Sequence, residues 1–201
     1  MQRRSTLLLA ALTAALLLAA CVTSASANRL SFSERTFRIT WAPMTFIYEL
    51  AEGRRANCNL TLEGSFHNST FAKVPNSLIG YVTRAAIAPC LVTVLRETLP
   101  WHVLYGSFSG TLPTISSIHI RIVGISMRVN EFGCLARATA VRPMEFNPAL
   151  VGGVFTSVPA ESRIGLLMSG FCEEENFRYA STGRSALTRL GTTTALSLRL
   201  I

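Results

Sequence analysis

Apolar and polar residues alternate along most of this chain with a period of two. Phe37, Ile39 and Trp41 are separated by Arg38 and Thr40, and Cys58, Leu60 and Leu62 by Asn59, Thr61 and Glu63. Cys90, Val92 and Val94 repeat the pattern, as do Trp101, Val103 and Tyr105. Successive side chains of an extended strand point to opposite faces, so each run predicts a strand with one face in a core and one in water. From Ile118 the apolar set Ile118, Ile120, Ile122 changes phase after Gly124 to Ile125, Met127, Val129. That slip predicts a β-bulge at the glycine, bending one long strand while its apolar residues stay inward. Further strands are expected at 30–32, 46–50, 78–85, 134–141, 151–158, 177–181 and 192–201.

Turn-forming residues punctuate these runs, among them Glu52-Gly53, His67-Asn68, Pro75-Asn76, Gly106 to Gly110, Arg142-Pro143, Asn147-Pro148 and Gly152-Gly153. Such spacing predicts an all-β chain of about nine to twelve strands, a single-domain β-sandwich with a closed or partly open β-barrel as the alternative. Leu78, Val82 and Ala85 fall at helical spacing, but Gly80 interrupts them and the segment reads as a strand. Trp41, Val92, Val94, Trp101, Val103, Ile120, Ile122 and Leu198 are the expected interior.

The first 27 residues are of another kind. Arg3 and Arg4 precede an apolar stretch from Leu7 to Ala20 that only Thr13 interrupts. It is shorter than the about 20 residues a bilayer span needs and fits the central region of an export signal. Residues 1–27 are therefore assigned to export and tethering, and 28–201 to a single β domain. Arg3-Arg4 resembles a twin-arginine signal, but Ser5 and Thr6 stand where that signal has bulky apolar residues, so the segment reads as a Sec-type signal. Two processing sites compete. Ala25-Ser26-Ala27 is an A-x-A site that would free Asn28; Leu18-Ala19-Ala20-Cys21 resembles a bacterial lipobox at every position and would leave Cys21 lipidated. A cysteine is scarce in this chain, so its place directly after Leu-Ala-Ala favours the lipobox. The small polar segment from Val22 to Asn28 suits a tether. The expected location is the outer face of the cytoplasmic membrane, lipid-anchored through Cys21, or else extracellular.

Composition narrows the chemistry. Of 19 basic residues 18 are arginine, Lys73 being the sole lysine, and all 11 acids are glutamate. Without aspartate there is no Ser-His-Asp triad, no aspartic-protease dyad, no EF-hand loop and no Asp-held magnesium of the kinase kind. Removing residues 1–27 leaves 17 bases against 11 acids, a formal +6. The arginines are scattered singly, with Arg54-Arg55 the only adjacent pair after Arg4, so no basic stripe marks a nucleic-acid partner. The arginines read first as solvated outward positions on strands, with anionic cell-wall polymers or lipid headgroups as the remaining partners of a positive exported chain. Contact with the membrane is expected only through the anchor.

Cys58, Cys90, Cys134 and Cys172 remain after processing. An even number in an oxidising compartment predicts two disulfides, for which three connectivities exist. Pairing neighbours in sequence, Cys58 with Cys90 and Cys134 with Cys172, needs no crossing and is preferred. No C-x-x-C or Cys/His cluster supports a metal site, and no cofactor is expected.

Asn28-Arg29-Leu30-Ser31, the run from Thr61 to His67, the run from Leu78 to Arg84, Leu99-Pro100-Trp101-His102 and Ser109 to Pro113 are similar to segments of uncharacterised exported β-rich proteins of high-GC actinobacteria. The likeness spans roughly Asn28 to Val129. It implies export and a bacterial source, and no activity or site residue.

Catalytic constellations are sparse. Gly106-Ser107-Phe108-Ser109-Gly110 fails as a nucleophile elbow because Phe108 stands where the serine belongs. Ser107, His102 and Glu97 are a formal Ser-His-Glu set, close in sequence only. A glycosidase would need two carboxyls, with Glu63, Glu97 and Glu131 as candidates and Trp41 or Trp101 stacking on sugar. Glu173-Glu174-Glu175 reads as a solvated turn. The expectation is an exported cell-envelope binding or structural module without catalytic activity. The alternatives are a barrel carrying an apolar ligand in space left by Ala136, Ala138 and Ala140, or a secreted glycoside hydrolase.

Overall fold

Alternating sequence becomes alternating burial over residues 29–48, 54–88, 90–129, 133–162, 165–169, 172 and 177–201, which the computed structural model describes. These residues form β1 (Arg29–Phe32), β2 (Thr36–Tyr48), β3 (Arg54–Phe66), β4 (Thr70–Ala72), β5 (Leu78–Ala88), β6 (Val92–Val94), β7 (Trp101–Ser109) and β8 (Ser117–Val123). The second half contributes β9 (Ser126–Val129), β10 (Cys134–Arg137), β11 (Met144–Phe146), β12 (Ala149–Val151), β13 (Val154–Ser157), β14 (Leu167–Ser169), β15 (Phe177–Thr188) and β16 (Leu198–Leu200). Among the described residues there is no α-helix, only a short 3-10 turn at Arg96–Thr98.

The large sheet runs β13-β12-β8-β7-β5-β3-β2-β15, with β11 also on β8. It curls until its ends almost meet. Phe146 of β11 bridges to Ala160, and Glu161 bridges to Ala180 of β15. Asn147 N–H donates to Pro159 O at 2.7 Å and Ser181 N–H to Ala160 O at 2.7 Å, so segment 159–161 closes the ring between β11 and β15. The fold is all-β as expected, and the barrel alternative, not the sandwich, describes this nearly closed sheet.

Large side chains fill the interior. Trp41 and Phe146 meet edge to face at 5.7 Å, although their strands are three places apart in the ring. Trp41 Nε1 donates to Val158 O at 2.7 Å, which satisfies the one polar atom of that indole. All eight residues expected inside are buried. Truncating either tryptophan to alanine should cost about 3–5 kcal/mol.

Two smaller sheets are formed among the described residues: β16-β1-β4, and β14-β10-β9-β6. The first is held by rings, Phe32 stacking on Phe66 at 3.8 Å and lying 5.2 Å from Phe71. The second is tied to the large sheet by the disulfide from Cys58 on β3 to Cys90, and internally by Cys134–Cys172. This is the neighbour pairing.

Several expectations needed correction. Gly124, at φ +99°, does not bulge one strand; it ends β8 in the large sheet and starts the chain toward β9 in the second. The phase slip survives because Ile125, Met127 and Val129 are still buried. The strand expected over 134–141 stops at Arg137, and Ala140 is exposed, so of the three small residues only Ala136 and Ala138 face inward. The strand expected over 151–158 is a hairpin about Gly152-Gly153, and that over 192–201 reduces to β16 plus isolated bridges. Conversely β2 is one strand, though Pro43 sits inside it with neighbours on both sides. A proline cannot donate to a ladder. Both neighbouring registers therefore shift there, and Gly183 lets β15 lie directly against the proline, where a Cβ would strike its ring.

Candidate functional site

Register assembles a charged row on the outer surface. On β3, Glu63 lies directly opposite Arg38 of β2 on one side and Arg84 of β5 on the other. Opposite charges at paired strand positions attract. Arg38 Nε and Nη2 each approach Glu63 Oε1 at 2.7 Å, while Arg84 Nη1 stands 3.7 Å from Oε2. The Arg84 side chain is 80% exposed, so it leans on the carboxylate and leaves its donors open.

A bulge shapes the same place. Glu63 pairs with Arg84 but Gly64 pairs with Val82, leaving Thr83 as the extra residue, and Thr83 and Arg84 both face solvent. Bulges re-aim side chains in this way. Gly64 is required: a Cβ there would run into the Tyr81 carbonyl and come within 2.7 Å of the Phe37 ring. Next to the charged row lies an aromatic one, with Ser65, Tyr81 and His102 in register across β3, β5 and β7. The Tyr81 ring meets His67 edge-on at 4.8 Å and His102 at 5.4 Å.

The 3-10 turn forms the remaining wall. Thr98 Oγ1 donates to Leu95 O at 2.7 Å and accepts from Trp101 Nε1 at 2.8 Å, which fixes the turn on a core residue. Arg96 thereby reaches a cleft of about 370 Å³ that Thr61, Glu63, Thr83, Arg84 and Leu99 also line. It borders a second cleft of about 380 Å³ with Thr93 and Glu97. Two guanidiniums thus flank the Glu63 carboxylate, and a third, that of Arg96, lines the same cleft with the Thr61 and Thr83 hydroxyls, the Tyr81 ring lying in the neighbouring row. Guanidinium forks match phosphate and carboxylate groups, and hydroxyls and rings suit sugars.

A second polar cluster sits on β8 and β11. Arg121 is opposite Glu145, with His119 Nε2 and Arg121 Nε at 3.6 and 3.4 Å from Glu145 Oε1. Arg121 also donates to Asn76 Oδ1 and, at 3.3 Å, to Ala140 O. The Tyr179 hydroxyl accepts from Glu145 N–H at 2.5 Å and donates to Glu145 O at 3.4 Å. Burial drives the Tyr179 phenol far above its ordinary value; the hydrogen bond to the Glu145 backbone opposes this and the nearby carboxylate adds to it.

The catalytic candidates from sequence do not assemble as proposed. Ser107 lies opposite His119, whereas His102 lies opposite Tyr81 and Val123. Glu97 is exposed on the 3-10 turn, and Trp41 and Trp101 are interior, where neither ring can stack on a sugar. Glu131, Glu173 to Glu175 and Cys21 lie outside the described residues. Among the described residues no three His, Cys, Asp or Glu side chains gather as a metal site. Sequence reasoning missed Arg84, Arg96 and Tyr81 as a group, because only strand pairing brings them together.

Together the fold and the site define an all-β, barrel-like protein with an arginine-walled surface cleft. Comparison with known proteins finds no matching family, no matching curated sequence and no matching solved structure.

Proposed function

We propose that this chain is an exported cell-envelope binding module, without catalytic activity, whose ligand is an anionic cell-wall polymer of the polyol-phosphate kind. The observation that carries the reading is the row Arg38–Glu63–Arg84 with Arg96 across the cleft and Tyr81 beside it. Glu63 neutralises one guanidinium and orients two, and Arg84 and Arg96 keep donors for a ligand. Export fits the N-terminal segment, and two disulfides are compatible with an oxidising compartment. Among the described residues no helix is long and apolar enough to cross a membrane. Attachment at the outer face of the cytoplasmic membrane is assigned to lipidation of Cys21.

Titration of the mature protein with a polyglycerol-phosphate chain and with a neutral glucan of equal length tests the reading. Binding of the phosphate polymer alone, weakening as ionic strength rises past about 0.1 M, is the expected result. Equal binding of the neutral chain, or none of either, would contradict it.

A further inference from the structure

Of the nine large apolar residues exposed among those described, Val151 and Val154 face each other across the β12–β13 hairpin, and Leu112 and Ile201 directly adjoin Pro113 and Leu200 in the chain. Each is the chain neighbour of a residue, Pro113, Gly152, Gly153 or Leu200, that lines one cleft of about 390 Å³. Val154 bridges to Ser197, and Leu198 N–H donates to Gly153 O at 2.8 Å, which holds the β12–β13 turn against β16. Clustered exposed apolar side chains, unlike scattered ones, mark a contact surface.

The chain outside the described residues joins at this same place. Arg29 and Ile201 exchange two backbone hydrogen bonds, at 3.0 and 3.2 Å. Only the seven residues from Val22 to Asn28 separate Arg29 from Cys21. Fully extended, that tether reaches about 25–30 Å. A compact domain of this length is about 40 Å across, so a lipid on Cys21 would keep the Arg29 end nearest the membrane. Arg29 and Arg199 are exposed on the strands that flank the apolar group.

We infer that Leu112, Val151, Val154 and Ile201, with Arg29 and Arg199, form a face that rests on an anionic lipid surface, a contact additional to the anchor. The inference rests on the lipid-anchor reading of Cys21 for its orientation. The apolar side chains enter the headgroup boundary and the guanidiniums engage lipid phosphates. Tethering raises the local concentration of the surface, so a contact too weak to recruit the free protein still orients the anchored one.

Intact-mass measurement of the mature protein from its native host reports on Cys21 by itself. Hydrogen exchange is then followed on vesicles of phosphatidylcholine alone and of equal phosphatidylcholine and phosphatidylglycerol. Amides of Thr111, Leu112, Thr114 and 151–154 should exchange about fivefold or more slowly on the anionic vesicles, those of β2, β3 and β5 should not change, and Leu112→Ser with Val151→Ser should abolish the difference. If the lipidated protein exchanges alike on both vesicles, the face is wrong while the anchor stands. If slowing occurs without lipid on Cys21, the face stands and the anchor reading falls. If the slowing appears without vesicles and grows with protein concentration, a second copy covers the patch and the inference is overturned.

Discussion

Glu63 and Glu145 occupy comparable positions, each on the outer face of the large sheet, opposite an arginine in register and within 4 Å of a second basic side chain. They differ in what surrounds them. Arg121 beside Glu145 donates to Asn76 and Ala140 and lies 3.4 Å from the carboxylate, and the Glu145 backbone is locked by the Tyr179 hydroxyl. Beside Glu63 only Arg38 is held by close contacts; Arg84 stands off at 3.7 Å and Arg96 faces a cleft. One cross-strand charge pattern is therefore tied into the fold at Glu145, and at Glu63 leaves donors facing water, the arrangement on which the proposed recognition rests. Neighbouring backbone decides which: a bulge and a 3-10 turn open the first region, and β15 packs under the second.

The strongest way to break the comparison is to cut the link on which one region depends. Cys58 lies on β3 with Glu63, and Cys90 follows β5, which carries Arg84. Replacing both by serine should lower the unfolding free energy by about 3–4 kcal/mol and loosen the Glu63 face while sparing the Tyr179 cluster. Urea titration measures the first effect, and a loss below about 1 kcal/mol would show that the bridge is not what holds the two strands.

Next in size, Arg84→Ala combined with Arg96→Ala should weaken binding of the phosphate polymer about a hundredfold, two charge-assisted hydrogen bonds being lost. Stability should stay within about 0.5 kcal/mol, since neither residue is buried. Titration calorimetry and thermal melts on the same samples separate the two effects.

Tyr179→Phe is the reciprocal test. It leaves the Glu145 N–H without its acceptor and should cost about 1–3 kcal/mol of stability with binding unchanged. A binding loss as large as that of the arginine pair would erase the distinction between the regions.

The smallest effect is alkaline. Burial raises the phenols of Tyr179 and Tyr105 above their ordinary 10.0. Above that value the unfolded chain loses these protons while the folded chain keeps them, so the folded state holds more protons and stability falls as pH rises. Above pH 10 the slope from Tyr179 should steepen toward at most about 1.4 kcal/mol per pH unit, and Tyr179→Phe should remove that share of it.

How much could be read in advance follows from the range of the interactions. Alternation is local, so Phe37, Ile39 and Trp41, or Ile118, Ile120 and Ile122, announced both strand and face. Ring closure is not local: it depends on a few hydrogen bonds around Ala160, in a short proline-bearing segment whose partners lie on other strands. Nor could the long β2 be read through Pro43, because what accommodates the proline is Gly183, 140 positions along the chain. The Glu63 row was legible only as outward residues. That Arg38 and Arg84 flank it depends on two strand registers, and that Arg84 faces outward at all depends on a one-residue bulge at Thr83.

Backbone amide shifts of the mature protein, followed by NMR during titration with a short glycerol-phosphate oligomer, test the central claim most directly. Shifts concentrated at Thr61, Glu63, Tyr81, Thr83, Arg84 and Arg96, with His119, Arg121 and Glu145 unmoved, are the result predicted here. Shifts centred on the Glu145 cluster, or spread evenly over exposed arginines on every face, would contradict it.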